Sequence, residues 1–129
     1  MNPFTPHDAT GDGEPLRCCL RSARAGESIA LISFAPCTEP SPWREVGPVY
    51  VHAERCEGYG ERWMPDELRR GPGVLRTYRP DGSMNYDHNT LVGKEDLEPF
   101  IERLFGEPDV ATVHVRTLLP QCFLYAVTR

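Results

Sequence analysis

Two histidines stand in segments that alternate apolar and polar side chains, and both could move protons near neutral pH. In residues 49–54 (VYVHAE), Val49, Val51 and Ala53 share one face and Tyr50, His52 and Glu54 the other. In residues 111–116 (ATVHVR), Thr112, His114 and Arg116 oppose a valine-rich face. If the two strands share a sheet, both imidazoles line one surface and act as acid and base. The plainer alternative is that both rings face solvent from a one-sided sheet, or are buried and hydrogen-bonded.

Three arginines, Arg17, Arg76 and Arg116, fall on different expected elements. An arginine on the inner face of a strand needs an anionic partner, either a ligand carboxylate, phosphate or sulfate or an acidic side chain of the chain itself. Tyr78 adds a hydroxyl on an apolar ring, suited to a pocket wall. The expected site therefore has His52 and His114 as catalytic groups and Arg17, Arg76, Arg116 and Tyr78 as substrate-binding groups. Asp87-His88 reads as turn chemistry.

The five cysteines, Cys18, Cys19, Cys37, Cys56 and Cys122, are odd in number, and vicinal Cys18-Cys19 does not bridge easily, so free thiols are expected. No C-x-x-C or C-x-x-H spacing occurs. His52 with Cys56 and His114 with Cys122 would make an acceptable zinc set, yet Cys122 is expected to point into packed surface, so no metal is expected. A thiol nucleophile at Cys56 or Cys122 has little support, and no GxSxG turn is present.

These residues need elements to hold them. Residues 1–15, rich in Pro, Gly and acids, read as an extended arm. In residues 15–25, Leu16, Cys19, Leu20 and Ala23 recur at helical spacing between Pro15 and Gly26, which predicts a short N-terminal helix. Residues 27–35 (ESIALISFA) are apolar on both faces and read as a covered central strand. The next thirteen residues hold four prolines and one glycine, hence an ordered loop of the kind that borders pockets. Residues 74–79 and 84–86 read as a hairpin near a sheet edge, turning through Pro80-Asp81-Gly82-Ser83. Leu97, Phe100, Ile101, Leu104 and Phe105 predict the main helix, with Pro99 in its first turn. Residues 110–116 and 122–128 are strands, the latter expected to be central.

The expected fold is α+β: a mostly antiparallel sheet of five to six strands, the main helix on one face, and the short N-terminal helix. At 129 residues the chain is expected to form a single domain. A formal charge of −5 repels phosphate backbones and argues against nucleic acid. No apolar run is long enough to cross a bilayer and the start lacks signal-peptide character, so a cytoplasmic protein without a membrane partner is expected. The basic residues are thirteen Arg and Lys94 alone.

Several short motifs in order carry a resemblance: Pro15-Leu16-Arg17-Cys18-Cys19-Leu20, Ala25-Gly26-Glu27, Gly47-Pro48-Val49-Tyr50-Val51-His52, Arg76-Thr77-Tyr78 with Asp81-Gly82, and Val113-His114-Val115 with Cys122 and Arg129. Together they resemble the bacterial domain-of-unknown-function family numbered twelve hundred and three, from about residue 14 to the C-terminus. The resemblance implies a small α+β domain and no particular reaction. Arg17, His52, Arg76 and Cys122 match the family pattern. Leu16 stands where that pattern has cysteine, Arg116-Thr117 where it has His-Asn, and Gln121 where it has glycine. Arg116 would then supply a cation in place of an imidazole, as in a member put to specialised use.

The function expected is a small cofactor-independent enzyme on an anionic metabolite, of lyase or elimination type, with arginine stabilising the anion. No dinucleotide or phosphate-loop fingerprint supports a cofactor. The alternatives are a non-catalytic partner subunit in a homo- or hetero-dimer, and a zinc or thiol protein.

Overall fold

A computed structural model describes residues 6–11, 13–37 and 39–129. Among the described residues, His7–Asp8 (β1), Pro15–Leu16 (β2), Arg21–Ser22 (β3), Ser28–Phe34 (β4), Gly47–His52 (β5), Gly73–Tyr78 (β6), Thr90–Val92 (β7), Thr112–Arg116 (β8) and Phe123–Thr128 (β9) form two sheets, ordered β1-β4-β5-β2-β3 and β7-β6-β8-β9, beside one α-helix. The architecture is therefore mostly β with two sheets, in place of the single sheet with two helices that periodicity suggested.

The N-terminal helix is absent among the described residues. Pro15–Leu16 (β2) and Arg21–Ser22 (β3) pair antiparallel instead, and β2 also runs parallel to Gly47–His52 (β5) through Arg17 N–H to Tyr50 O at 2.8 Å. The helical spacing yields a single turn, Leu20 N–H to Leu16 O at 2.9 Å, after which Leu20 takes a left-handed backbone (φ 56°) that a continuing helix excludes. So short a segment gains little from helical propagation, and strand pairing on both sides of β2 prevails over it. Of the expected arm, His7–Asp8 (β1) is an edge strand on Ser28–Phe34 (β4), while residues 1–5 and 12 lie outside the described residues.

β4 is paired on both edges, by β1 and β5, yet its second half is not covered: Ile32 is 42% exposed. In the second sheet Gly73–Tyr78 (β6) is interior, between Thr90–Val92 (β7) and Thr112–Arg116 (β8). The expected hairpin partner at residues 84–86 supplies only a bridge, Tyr78 to Met84, because Asn89 bonds the Thr77 amide (2.8 Å) and the true return strand comes later. Phe123–Thr128 (β9) is an edge strand, and its alternately apolar faces reflect packing over its flat sides.

The helix Glu98–Phe105 (α1) has Pro99 in its first turn and buries Ile101 and Leu104. Leu97, Ile101 and Leu104 pack with Leu75, Val113, Val115 and Tyr125 to form the larger core. Alternation does the rest: β6 and β8 send Leu75, Val113 and Val115 into that core, so their other face carries Arg76, Tyr78, Thr112, His114 and Arg116. Among the described residues no helix is long and apolar enough to cross a membrane.

Candidate functional site

Five of the six expected site residues meet around the outer face of the second sheet. Strand register sets them in rows, Arg76 beside His114 beside Ala126, then Tyr78 beside Thr112 beside Thr128. Above them lies the proline-rich segment after β4, and between sheet and segment is a cavity of about 500 Å³ lined by Trp43, Arg44, Glu45, Tyr78, Thr112 and His114 among others.

Glu45, carried on that segment, accepts from Arg76 Nη1 at 3.2 and 3.3 Å and is paired with Arg116. Gln121 spans the same two arginines: its Oε1 accepts from Arg76 at 2.6 Å and its carbonyl from Arg116 at 3.1 Å. Gln121 does so from a left-handed backbone (φ 52°), a conformation that favours glycine. The His114 ring stacks against Tyr78 and Phe123, with centroids 4.5 and 4.9 Å away. Arg17 reaches the cluster from the β2–β3 turn, its guanidinium 4.9 Å from the Phe34 ring and 5.2 Å from the Phe123 ring. Among the described residues no carboxylate pairs with Arg17, and its buried Nε, like that of Arg116, has no hydrogen-bond partner.

The chemistry open to His114 is set by its neighbours. Arg116 Nη2 lies 3.2 Å from His114 Nδ1, and since a guanidinium only donates, Nδ1 accepts and the ring proton sits on Nε2. Burial, and then the charges of Arg116 and Arg76, hold the imidazole well below its ordinary value of 6.5, at about 3. His114 is neutral at physiological pH and serves as a hydrogen-bonding ring, not as a general acid.

His52 lies elsewhere. It ends β5 in the first sheet, whereas His114 is on β8 in the second, so the two strands with matching alternation do not pair. Its companions are Cys18 and Cys19 from the β2–β3 turn and Cys56 from the segment after β5, and the four ligand atoms lie within 4.8 Å of one another. His52 Nδ1 is 3.5 Å from Cys18 Sγ and 3.8 Å from Cys19 Sγ, and Nε2 is 3.0 Å from Glu27 Oε2. Burial pushes the Cys19 thiol up to about 12, while the Gly58 amide helps bring Cys56 down to about 7. A cavity of about 670 Å³ opens beside this cluster, lined by Cys19, Arg21, Glu27, His52, Cys56 and Gly58 among others.

Sequence reasoning missed Cys18, Cys19, Glu27, Glu45 and Gln121. His52 and Cys56 were visible as half a ligand set; the other half comes from β2 lying parallel to β5, a pairing that places Leu16 beside Tyr50 across 34 residues. Glu45 was visible only as an acid in a pocket-bordering loop.

Comparison with curated proteins and with solved structures returned no match. A family model described as "Protein of unknown function (DUF1203)" matches residues 13–129, covering both sheets apart from β1, the arginine face and the Cys/His cluster alike, and the chain belongs to that family.

Proposed function

We propose that the chain binds an anionic small molecule against Arg17, Arg76 and Arg116, with the body of the ligand in the adjoining cavity. One observation carries this reading: Arg17 and Arg116 lie over the Phe123 ring, Glu45 joins Arg116 to Arg76, and among the described residues Arg17 has no carboxylate of its own. A partly buried arginine without an anion is costly, and a ligand carboxylate, sulfate or phosphate removes that cost. Arg116 and Gln121, two positions where the sequence departs from its family's pattern, touch each other here, which favours a ligand particular to this member.

A reaction at such a site is of lyase or elimination type, the arginines stabilising the charge that develops on the departing group. The pair His52 and His114 is not carried into this reading, since the rings occupy different sheets. Glu45, at the cavity wall, is the group placed to take a proton from a ligand that displaces it from the arginines.

The test is thermal unfolding across sulfate, phosphate, and mono- and dicarboxylates, with Arg76→Gln alongside. A ligand held at a hundred times its Kd should add about 2.7 kcal/mol to the stability of the native chain, and the variant should lose that gain. No shift with any anion, but a shift with a protein partner, would overturn the proposal in favour of a partner subunit.

A further inference from the structure

The Cys/His cluster lies where β5 ends in the first sheet, away from Arg76 and Arg116, and Arg17 alone shares its turn. We propose that Cys18, Cys19, Cys56 and His52 Nδ1 hold one zinc ion in a closed tetrahedral site that fastens the β2–β3 turn to the end of β5 and the segment following it.

The separations between the ligand atoms suit the ion. Zinc takes thiolate sulfur at about 2.3 Å and imidazole nitrogen at about 2.0–2.1 Å, so a tetrahedral site has sulfur-to-nitrogen edges of about 3.5 Å and sulfur-to-sulfur edges of about 3.8 Å. The Cys18-to-His52 and Cys19-to-His52 separations are 3.5 and 3.8 Å, and the full set spans no more than 4.8 Å, so a modest contraction closes the shell. Four protein ligands leave no position for substrate, which makes the site structural.

The surroundings supply what a zinc-bound histidine and thiolates require. His52 Nε2 faces Glu27 at 3.0 Å, and Glu27 is itself gripped by Arg21 through two bonds of 2.8 Å and by the Arg24 amide at 2.6 Å. Arg21 Nη2 also approaches Nε2, but at 3.3 Å, and it already donates to Glu27 Oε2. The nearer carboxylate therefore takes the Nε2 proton, leaving the Nδ1 lone pair directed at the sulfurs. A carboxylate on the far nitrogen is the usual support of a metal-bound histidine. Two backbone amides point at sulfur, His52 N–H at Cys18 (3.3 Å) and Gly58 N–H at Cys56 (3.5 Å), and each favours the thiolate. Gly58 sits at φ +85°, which lets the chain double back to place its amide there. The adjoining cavity gives the ion a way in.

The need for such a fastening is visible in the packing. The core cluster beside the turn comprises Ala9, Leu16, Ala23 and Ile29, with Cys18, Cys19 and Tyr50 against it. So small an apolar set is of the kind that metal sites commonly supplement.

The experiment uses the full chain purified under reducing conditions without chelator. Elemental analysis is expected to give one zinc per chain. Cobalt(II) exchanged into the site is expected to show the intense visible bands of tetrahedral coordination together with thiolate charge transfer. Cys18→Ser and Cys56→Ser should lose the metal, whereas Cys37→Ser and Cys122→Ser, which lie outside the cluster, should retain it. Glu27→Gln, which removes no ligand, should weaken zinc binding by about 10–100-fold. A well-folded, reduced wild-type chain that neither contains zinc nor binds it on titration would overturn the proposal, as would cobalt spectra without thiolate charge transfer. Loss of zinc from Cys37→Ser and Cys122→Ser as readily as from the cluster variants would do so too. None of these outcomes depends on an anion at the arginines.

Discussion

In the second sheet, β6 and β8 press Leu75, Val113 and Val115 onto Leu97, Ile101 and Leu104 at the helix, with Tyr125 and Val92 closing the layer. In the core cluster at the first sheet, two of the four buried residues are alanines, and the sheet's further buried apolar residues are the small Ala30 and Val49. Burying a Leu, Ile or Val side chain fully is worth about 1.5–3 kcal/mol, so the second sheet stands on side-chain burial and the first cannot do so to the same degree. The polar groups divide the other way. The first sheet gathers thiols, an imidazole and a carboxylate where β5 ends, while the second places its charges on the face turned from its core. One region is organised around apolar volume and carries a polar surface as a consequence; the other is organised around polar ligands.

Stripping the metal with a strong chelator should show the largest effect, since structural zinc in small domains contributes on the order of 10 kcal/mol to folding. Hydrogen exchange followed by mass spectrometry is expected to lose protection in β2, β4 and β5 and to keep it in β6, β8 and α1. Equal loss in both sheets would mean one cooperative unit and would break the comparison. The converse perturbation is Ile101→Ala, expected to cost about 2–5 kcal/mol in urea unfolding while leaving zinc stoichiometry at its wild-type value. If that variant released the metal as well, the two regions would not be separable.

The same division separates what is legible in the chain from what is not. The second sheet was legible where alternation and helix period agree with burial: β8 with His114 and Arg116 on its polar face, and α1; β6 was legible as a strand, but its interior place, which adds Arg76 and Tyr78 to that face, comes from its register with β8. The first sheet was misread where periodicity was a poor guide. Leu16, Cys19, Leu20 and Ala23 have helical spacing, but Leu16 reaches their common core from β2 and Ala23 from the residue after β3. Nothing local to Cys18 and Cys19 encodes that β2 will lie parallel to β5, so the thiols could not be assigned to His52. His114 shows a different limit: its strand face, shared with Arg116, was readable, but the burial that chiefly keeps it neutral and the approach of Arg76 through the β6–β8 register are not local to the segment.

That neutral imidazole gives the next effect in size. His114 is 8% exposed and its folded value is lowered to about 3, whereas the unfolded ring titrates near 6.5. The unfolded chain therefore binds the proton first. The stability due to the neutral ring is full above about pH 6.5 and falls as pH drops toward 3, by about 1.4 kcal/mol per pH unit. Urea unfolding at pH 7 and pH 5 should cost the wild type about 2 kcal/mol more than His114→Gln, in which this proton is absent. Comparing the two chains at matched metal content cancels any acid release of zinc, which belongs to the other sheet. Equal losses in both would mean that the ring already carries its proton in the folded chain.

The smallest expected change tests what the second sheet does with its surplus charge. Glu45→Gln leaves Arg76 and Arg116 without their carboxylate, but Glu45 is more than one-third exposed, so water screens the pair and the cost should be only about 1 kcal/mol. The variant is more informative about binding than about stability. If Glu45 occupies the place of a ligand's acid group, removing its charge frees two guanidiniums, and sulfate or a dicarboxylate should raise the Tm of Glu45→Gln more than that of the wild type. The excess should vanish when Arg116→Met is added. If anions stabilise both chains equally, they act by exclusion from the surface, and the face is an internal ion pair on the side of the sheet turned from its core. If they stabilise only the variant, Glu45 is a competitor that a natural ligand must displace. Binding would then require the proline-rich segment that carries Glu45 to give up its hold on the two arginines.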